Sequence, residues 1–132
     1  MDQKICGVHH IALKACGLED YEKTVRFYHE ILGMPIVRTW GTGENVGIML
    51  DTGAGLMEIF ANAKEYPGQG AIRHMAFAVK DVDDCVEAVR AAGYQIIVEP
   101  KDIEFKSEIP YYARIAFCIG PVGEEIEFFA ER

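Results

Sequence analysis

The sequence predicts an α+β fold in which two βαβββ modules form a curved, cup-like mixed sheet with helices on its outer face. Two observations support this prediction. First, each half begins with a histidine-bearing strand and continues into an amphipathic helix and three more strands. Second, the halves match in register. His10 and His74 are 64 positions apart, and the same shift relates Leu18-Glu19-Asp20 to Val82-Asp83-Asp84.

The first module is expected over about residues 5–60. It begins with a strand near Ile5–Ala15, and a helix follows because apolar residues recur every three or four positions. These apolar residues are Leu18, Tyr21, Val25, Tyr28 and Leu32. Gly33 is expected to end the helix, and Pro35 prevents its continuation. Three short strands are expected near residues 36–40, 45–50 and 55–60.

The second module is expected over about residues 71–130, after a linker near residues 61–70. A strand at 72–79 leads to Asp81, a suitable N-cap for the second helix, and Gly93 closes that helix. Further strands are expected near 94–98, 112–119 and 125–130. The 101–110 segment is long and mixed in character, and is predicted to be a loop that serves as a lid or a substrate loop.

Bulk composition limits the function classes. The 132 residues fit a single domain, and a net charge of −8 with a pI near 4.9 argues against nucleic-acid binding. No apolar run approaches the roughly 20 residues of a membrane span, and the amino terminus does not resemble a signal peptide. The four cysteines lack a Cys-x-x-Cys pair, which favours free thiols and a cytoplasmic location.

Two histidines and two glutamates are the candidate site. Side chains alternate between the faces of a strand, so His10 and His74 point away from their large apolar neighbours. Glu58 and Glu127 do the same near the end of each module. If the sheets curl toward each other, the four side chains converge. Two imidazoles with two carboxylates suit a divalent metal such as Zn, Ni, Co, Fe or Mn, and a glutamate that detaches would be a general base.

Four further residues belong to the sequence-based prediction of the site region. His9 is the rival of His10, but its parity places it on the helix side of the strand. Alternation also predicts that Arg114 faces the cup, where it would meet an anionic part of a substrate. Arg38 and Trp40 share one face of the second strand, and line either the pocket mouth or a dimer interface.

The sequence resembles the vicinal oxygen chelate superfamily, which includes glyoxalases, bleomycin resistance proteins and dioxygenases. The resemblance extends from His10 to Glu127. It rests on five motifs: His10-Ile11-Ala12-Leu13, Val25-Arg26-Phe27-Tyr28 through Ile31-Leu32-Gly33-Met34, Met57-Glu58-Ile59, Arg73-His74-Met75-Ala76-Phe77, and Gly120 through Phe128. The length and the His–Glu–His–Glu set are most similar to single-domain bacterial glyoxalase I, or lactoylglutathione lyase.

That resemblance implies an enzyme that detoxifies methylglyoxal. It would convert the hemithioacetal of a 2-oxoaldehyde and a thiol into a 2-hydroxyacyl thioester, through an enediolate held by one divalent metal (Ni, Co, Zn or Mn). Either Glu58 or Glu127 would carry the proton, and a homodimer is expected. Lys14 and Asn62 occupy positions that contact glutathione in the family, although Lys14 replaces the usual arginine and Ala63-Lys64 replaces the usual Trp-Gly.

Two other activities fit the same resemblance. Methylmalonyl-CoA epimerases also move a proton next to a carbonyl, but they commonly carry glutamine where Glu58 stands. Drug-sequestering members of the superfamily bind small molecules without a metal, in an apolar cup. Metal content and turnover of the two substrates distinguish the three alternatives.

Overall fold

The computed structural model describes residues 3–105 and 108–132 and divides the chain into two compact units between Tyr66 and Pro67. The boundary falls within the predicted linker. Each unit contains one four-stranded mixed sheet and a helix in the order βαβββ. The α+β class and the duplicated module are therefore confirmed.

The first unit has strand order β1-β4-β3-β2, with β1 parallel to β4 and the remaining pairs antiparallel. The apolar side chains Met57 and Ile59 of β4 are fully buried. The elements are β1 His10–Lys14, α1 Gly17–Val25, a π-helical turn Arg26–Ile31, β2 Ile36–Trp40, a 3-10 turn Gly43–Asn45, β3 Gly47–Asp51 and β4 Leu56–Phe60.

The second unit repeats this topology, with strand order β5-β8-β7-β6 and β5 parallel to β8. The predicted N-cap is confirmed, because the Asp81 carboxylate accepts a 3.0 Å hydrogen bond from the backbone N–H of Asp84. The elements are β5 Met75–Ala78, α2 Val82–Ala91, β6 Ile96–Phe105, β7 Tyr111–Ile119 and β8 Glu125–Glu131.

The histidine-bearing strands are shorter than predicted. β1 begins at His10 rather than near Ile5, and β5 begins at Met75 rather than at 72. In the first sheet the partner strand begins at the same place, because His10 pairs with Leu56, the first residue of β4. A strand needs a neighbour to satisfy its backbone groups, so the residues before His10 lie outside the ladder.

The first helix also differs from the prediction. The expected single helix changes at Arg26 into a π-helical turn, closed by the bond from Leu32 N–H to the Phe27 carbonyl. In this turn Tyr28 is fully buried as predicted, Phe27 is buried although it lay outside the predicted apolar positions, and Leu18 is exposed. Gly33 ends this segment with φ +80, as predicted.

The predicted loop over residues 101–110 is largely wrong. Residues 101–105 continue β6, which pairs in register with β7 so that Phe105 lies opposite Tyr111. Their rings stack with centroids 4.4 Å apart, and this contact extends the hairpin through the segment predicted to be a lid. Lys106 and Ser107 lie outside the described residues, and 108–110 belong to no strand.

The helices of the described part of the chain are all too short or too polar to cross a membrane. All four cysteines are free thiols, and Cys118 is buried while Cys6 is exposed. Burial raises the pKa of the Cys118 thiol to about 12, so it remains protonated at neutral pH.

Candidate functional site

In the first unit, the structure brings His10 and Glu58 together. Parallel pairing sets Ala12 beside Glu58 and His10 beside Leu56, and the two polar side chains share a face. His10 Nε2 lies 3.6 Å from Glu58 Oε1, and the Glu58 side chain is only 14% exposed. The predicted face assignment is therefore confirmed for this pair.

In the second unit, His74 and Glu127 form the equivalent pair. His74 Nε2 lies 3.2 Å from Glu127 Oε1, and the Glu127 side chain is 9% exposed. Burial raises the pKa of the Glu127 carboxyl; the attraction of His74 opposes this shift and the neighbouring carboxylate of Glu125 adds to it. A carboxyl with a raised pKa is suited to accept a proton.

The second nitrogen of His74 is a buried polar atom for which the described residues supply no hydrogen-bond partner. Its Nδ1 lies 3.8 Å from Glu125 Oε2, beyond hydrogen-bond range but facing a carboxylate. The Phe117 ring packs edge-on against the imidazole, 5.3 Å away. A histidine that binds a metal through one nitrogen usually presents the other to a carboxylate or carbonyl, so this environment fits a ligand.

The spacing of the His74–Glu127 pair fits two ligands of one cation, whereas the His10–Glu58 pair is slightly wider than that range. Two ligand atoms each about 2.1 Å from one ion, at tetrahedral or octahedral angles, lie about 3.0–3.4 Å from each other. The two N···O distances are 3.2 and 3.6 Å. Among residues 3–105 and 108–132, no group of three or more His, Cys, Asp or Glu side chains could hold a metal ion. The four-ligand site therefore stays a prediction.

Sequence reasoning did not select Glu125 or assign a role to His9. Glu125 and Glu127 are two positions apart and share a face of β8, which was the signal available in the sequence. His9 contacts His10: their Nδ1 atoms lie 2.9 Å apart, so one nitrogen donates to the other. This contact orients the His10 ring and leaves its Nε2 toward Glu58.

The two predicted substrate-binding residues of the first unit lie at the ends of strands. Lys14 is the last residue of β1, pairs with Phe60 and shares the parity of His10. Asn62 follows β4 and forms an isolated bridge with Cys16. Both are exposed, and their role in substrate binding stays a prediction.

The predicted position of Arg114 is wrong. β7 pairs with β8 so that Phe117 lies opposite Glu127, and Arg114, three residues away, points to the other face. There it meets helix α2: Arg114 Nε and Nη2 donate to the two carboxylate oxygens of Asp83 at 2.6 and 2.9 Å. Asp102 lies 3.3 Å from its Nη1. This arginine therefore ties the helix to the sheet.

We expect Asp83→Asn to destabilise the protein at neutral pH but not in strong acid. The hydrogen bond from Arg114 holds the pKa of Asp83 below its ordinary value of 3.8. A lowered folded-state pKa gives stability above the unfolded pKa, and this stability is lost as pH falls through the folded pKa. Thermal melts of the variant at pH 7 and below pH 3 measure the difference.

Asp84→Asn is the matched control, since Asp84 lies in the same first helical turn and no ion pair of its carboxylate is found among the described residues. A general helix-dipole effect would act on both carboxylates. Equal losses for the two variants at pH 7 would contradict the role of the Arg114 contact.

Known proteins resemble nearly the whole chain. A family model described as the glyoxalase/bleomycin resistance protein/dioxygenase superfamily matches residues 7–128. A lactoylglutathione lyase from Haemophilus influenzae is 29% identical over 121 residues, which cover 86% of each chain.

Solved structures show the same fold. A glyoxalase family protein from Enterococcus faecalis superposes with a TM-score of 0.70 at 20% identity, covering 96% of this chain and 99% of the other. TnmS3, an antibiotic binding protein from Streptomyces, superposes with a TM-score of 0.71 at 18% identity, covering 99% and 100%. At these identities the two structures indicate the fold alone.

Proposed function

The chain belongs to the glyoxalase/bleomycin resistance protein/dioxygenase superfamily, and we propose that within it the protein is a divalent-metal-dependent lyase of the glyoxalase I type. Its substrate would be the hemithioacetal formed by a 2-oxoaldehyde, such as methylglyoxal, and a thiol. The product would be a 2-hydroxyacyl thioester. The observation that carries the proposal is the repeated His–Glu pair, with N···O distances of 3.6 and 3.2 Å.

The proposed metal ligands are His10 and Glu58 of the first unit and His74 and Glu127 of the second. Imidazole and carboxylate together suit Ni, Co, Zn or Mn. A divalent metal, when bound, supplies Lewis-acid stabilisation of negative charge on the substrate oxygens. The buried His74 nitrogen that faces Glu125 supports this assignment, because a carboxylate at that position fixes the orientation of a ligating imidazole.

Glu127 is the proposed proton carrier. In this isomerisation the proton leaves the hemithioacetal carbon and is returned to the adjacent carbon. The first carbon is thereby oxidised to the acyl level and the second is reduced to an alcohol, so no external oxidant or reductant is needed. Glu127 is the more buried of the two glutamates, at 9% against 14% exposed side chain, and a dry carboxylate is a stronger base toward carbon.

We also propose a homodimer. Both edge strands of the first sheet expose large apolar side chains to solvent in the single chain, and an isolated protein rarely leaves an extended apolar surface uncovered. Exposed residues of this kind on β1 and β2 include Ile11, Ile36 and Val37. The partner would be a second copy of this chain, and sedimentation equilibrium measures its mass.

The test combines metal analysis with two substrates. The protein is purified, stripped with a chelator and reloaded with Ni, Co, Zn or Mn, and bound metal is counted per chain. Each form is then incubated with methylglyoxal plus glutathione, and separately with methylmalonyl-CoA. We expect stoichiometric metal and thioester formation from the first mixture.

Each other outcome assigns a different function. Turnover of methylmalonyl-CoA alone would replace the lyase with an epimerase. A metal content well below one ion per chain after reloading, with neither substrate consumed, would favour a metal-free binding protein.

A further inference from the structure

The face of the first sheet that carries Glu58 also carries Arg38, which lies two strands away on β2. β3 pairs Met49 with Glu58 on one side and with Arg38 on the other. Directly opposed residues in antiparallel strands point to the same face, so the three side chains form a row. Neighbouring strands are about 4.8 Å apart, which places the Arg38 and Glu58 backbones about 10 Å from each other.

Arg38 has no carboxylate partner among residues 3–105 and 108–132. Its Nη1 donates to the thioether sulfur of Met49 at 2.9 Å, and a thioether is a weak acceptor. Arg73 likewise has no ion pair within the described residues, but the four remaining arginines do, in a chain where acidic residues outnumber basic ones 21 to 13. They are Arg26, Arg90, Arg114 and Arg132.

An aromatic surface adjoins Arg38. Trp40 shares its face of β2, and its indole lies directly over Gly47, where any Cβ atom would collide with the ring. Phe60 contacts the indole edge-to-face, with ring centroids 6.0 Å apart. Gly47 and Phe60 pair in register across β3 and β4, so the aromatic pair lies beside the row from Arg38 to Glu58.

From this arrangement we infer that Arg38 is the anchor for an anionic end of the substrate. The ligand class is a small molecule whose reacting centre lies at Glu58 and whose carboxylate or phosphate lies about 10 Å away, with an intervening portion against Trp40 and Phe60. A guanidinium binds either anion through two parallel N–H donors. The inference rests on the proposed function for its reacting centre, but the binding itself requires neither turnover nor metal.

Trp40 provides the measurement, because it is the single tryptophan of the chain. Its fluorescence is titrated with S-hexylglutathione, which carries two carboxylates, and with the diethyl ester of that compound, which carries none. S-hexyl-coenzyme A, which carries phosphate groups, is titrated as the third probe. The dissociation constant is taken from the midpoint of each titration, because a substitution beside Trp40 also alters the amplitude.

We expect at least one anionic probe to bind, and Arg38→Gln to weaken its binding about tenfold or more, since a charge-assisted hydrogen bond to the anion is lost. Binding of the diethyl ester, which has no carboxylate, should not change. Arg38→Lys should restore only part of the affinity, because an ammonium lacks the paired donors. Arg26→Gln, which removes the same charge from the π-helical turn, should bind like the unmodified protein.

Two results would overturn the inference: equal binding by Arg38→Gln and Arg26→Gln, or no saturable fluorescence change with either anionic probe. Failure of the proposed function is separable. Arg38-dependent binding without turnover of either substrate would refute the lyase and leave the anchor. Turnover with a KM that Arg38→Gln does not alter would refute the anchor and leave the lyase.

Discussion

Glu127→Gln is expected to lower kcat/KM for the methylglyoxal–glutathione hemithioacetal by about 10²–10⁴, the usual contribution of a positioned general base. Glutamine keeps the shape of the side chain but cannot take a proton. Folding should not suffer: burial raises the pKa of Glu127, which means that ionising it costs stability, and the neutral amide avoids that cost. Thioester formation and a thermal melt are measured on the same preparation.

Glu131→Gln is the matched control for this substitution. Glu131 lies on the same strand and is exposed, so the control removes an equal charge without touching His74. Its activity should equal that of the unmodified protein. Unchanged activity in the Glu127→Gln protein would contradict the assignment, and the same assay on Glu58→Gln would then test the other glutamate as the base.

Phe128→Ala should produce the largest loss of stability, about 3–5 kcal/mol in the free energy of unfolding. The Phe128 side chain is 1% exposed and lies on the face of β8 opposite Glu127. Truncation leaves a cavity that the surrounding strands fill only in part. Since a chain of this size is stable by roughly 5–15 kcal/mol, urea unfolding should show a much lower midpoint.

Phe129→Ala removes the same atoms from the next residue of the strand and serves as the comparison. Phe129 is partly exposed on the Glu127 face, where its ring contacts Phe105 at 5.9 Å. We expect less than half the loss caused by Phe128→Ala, because less apolar area leaves water on folding. A larger loss for Phe129→Ala would contradict the conclusion that the core of this unit lies on the Phe128 face of β8.

The faces of β1, β4 and β8 were predictable because only one face of each is strongly apolar. Along β8, Ile126 and Phe128 alternate with Glu127, and period two then fixes which side chains face the site. β7 does not offer this contrast. Ile115 and Phe117 lie on one face and Ala116 and Cys118 on the other, so alternation could not decide which face meets helix α2, and Arg114 was placed on the wrong side.

Two other differences arise from tertiary contacts that no local pattern encodes. Residues 102–105 alternate charged and apolar side chains, but Pro100 lies just before them, where a proline argues against a strand, and the pairing with β7 is seen only in the sheet. The π-helical turn inserts a residue into the helix repeat, and Phe27 is buried beside the predicted Tyr28, which a period of 3.6 cannot anticipate. The convergence of all four predicted ligands stays a prediction, supported only by the duplicated sequence pattern.

The parallel pairing of β1 with β4 has a consequence for how the chain acquires its structure during synthesis. β2, β3 and β4 are joined by short turns and pair with their neighbours in sequence. β1 instead pairs with a strand some 45 residues downstream. On the ribosome, His10 therefore emerges long before Glu58 and stays unpaired until Phe60 has left the exit tunnel. The strand that is made first in each unit is the last to join its sheet.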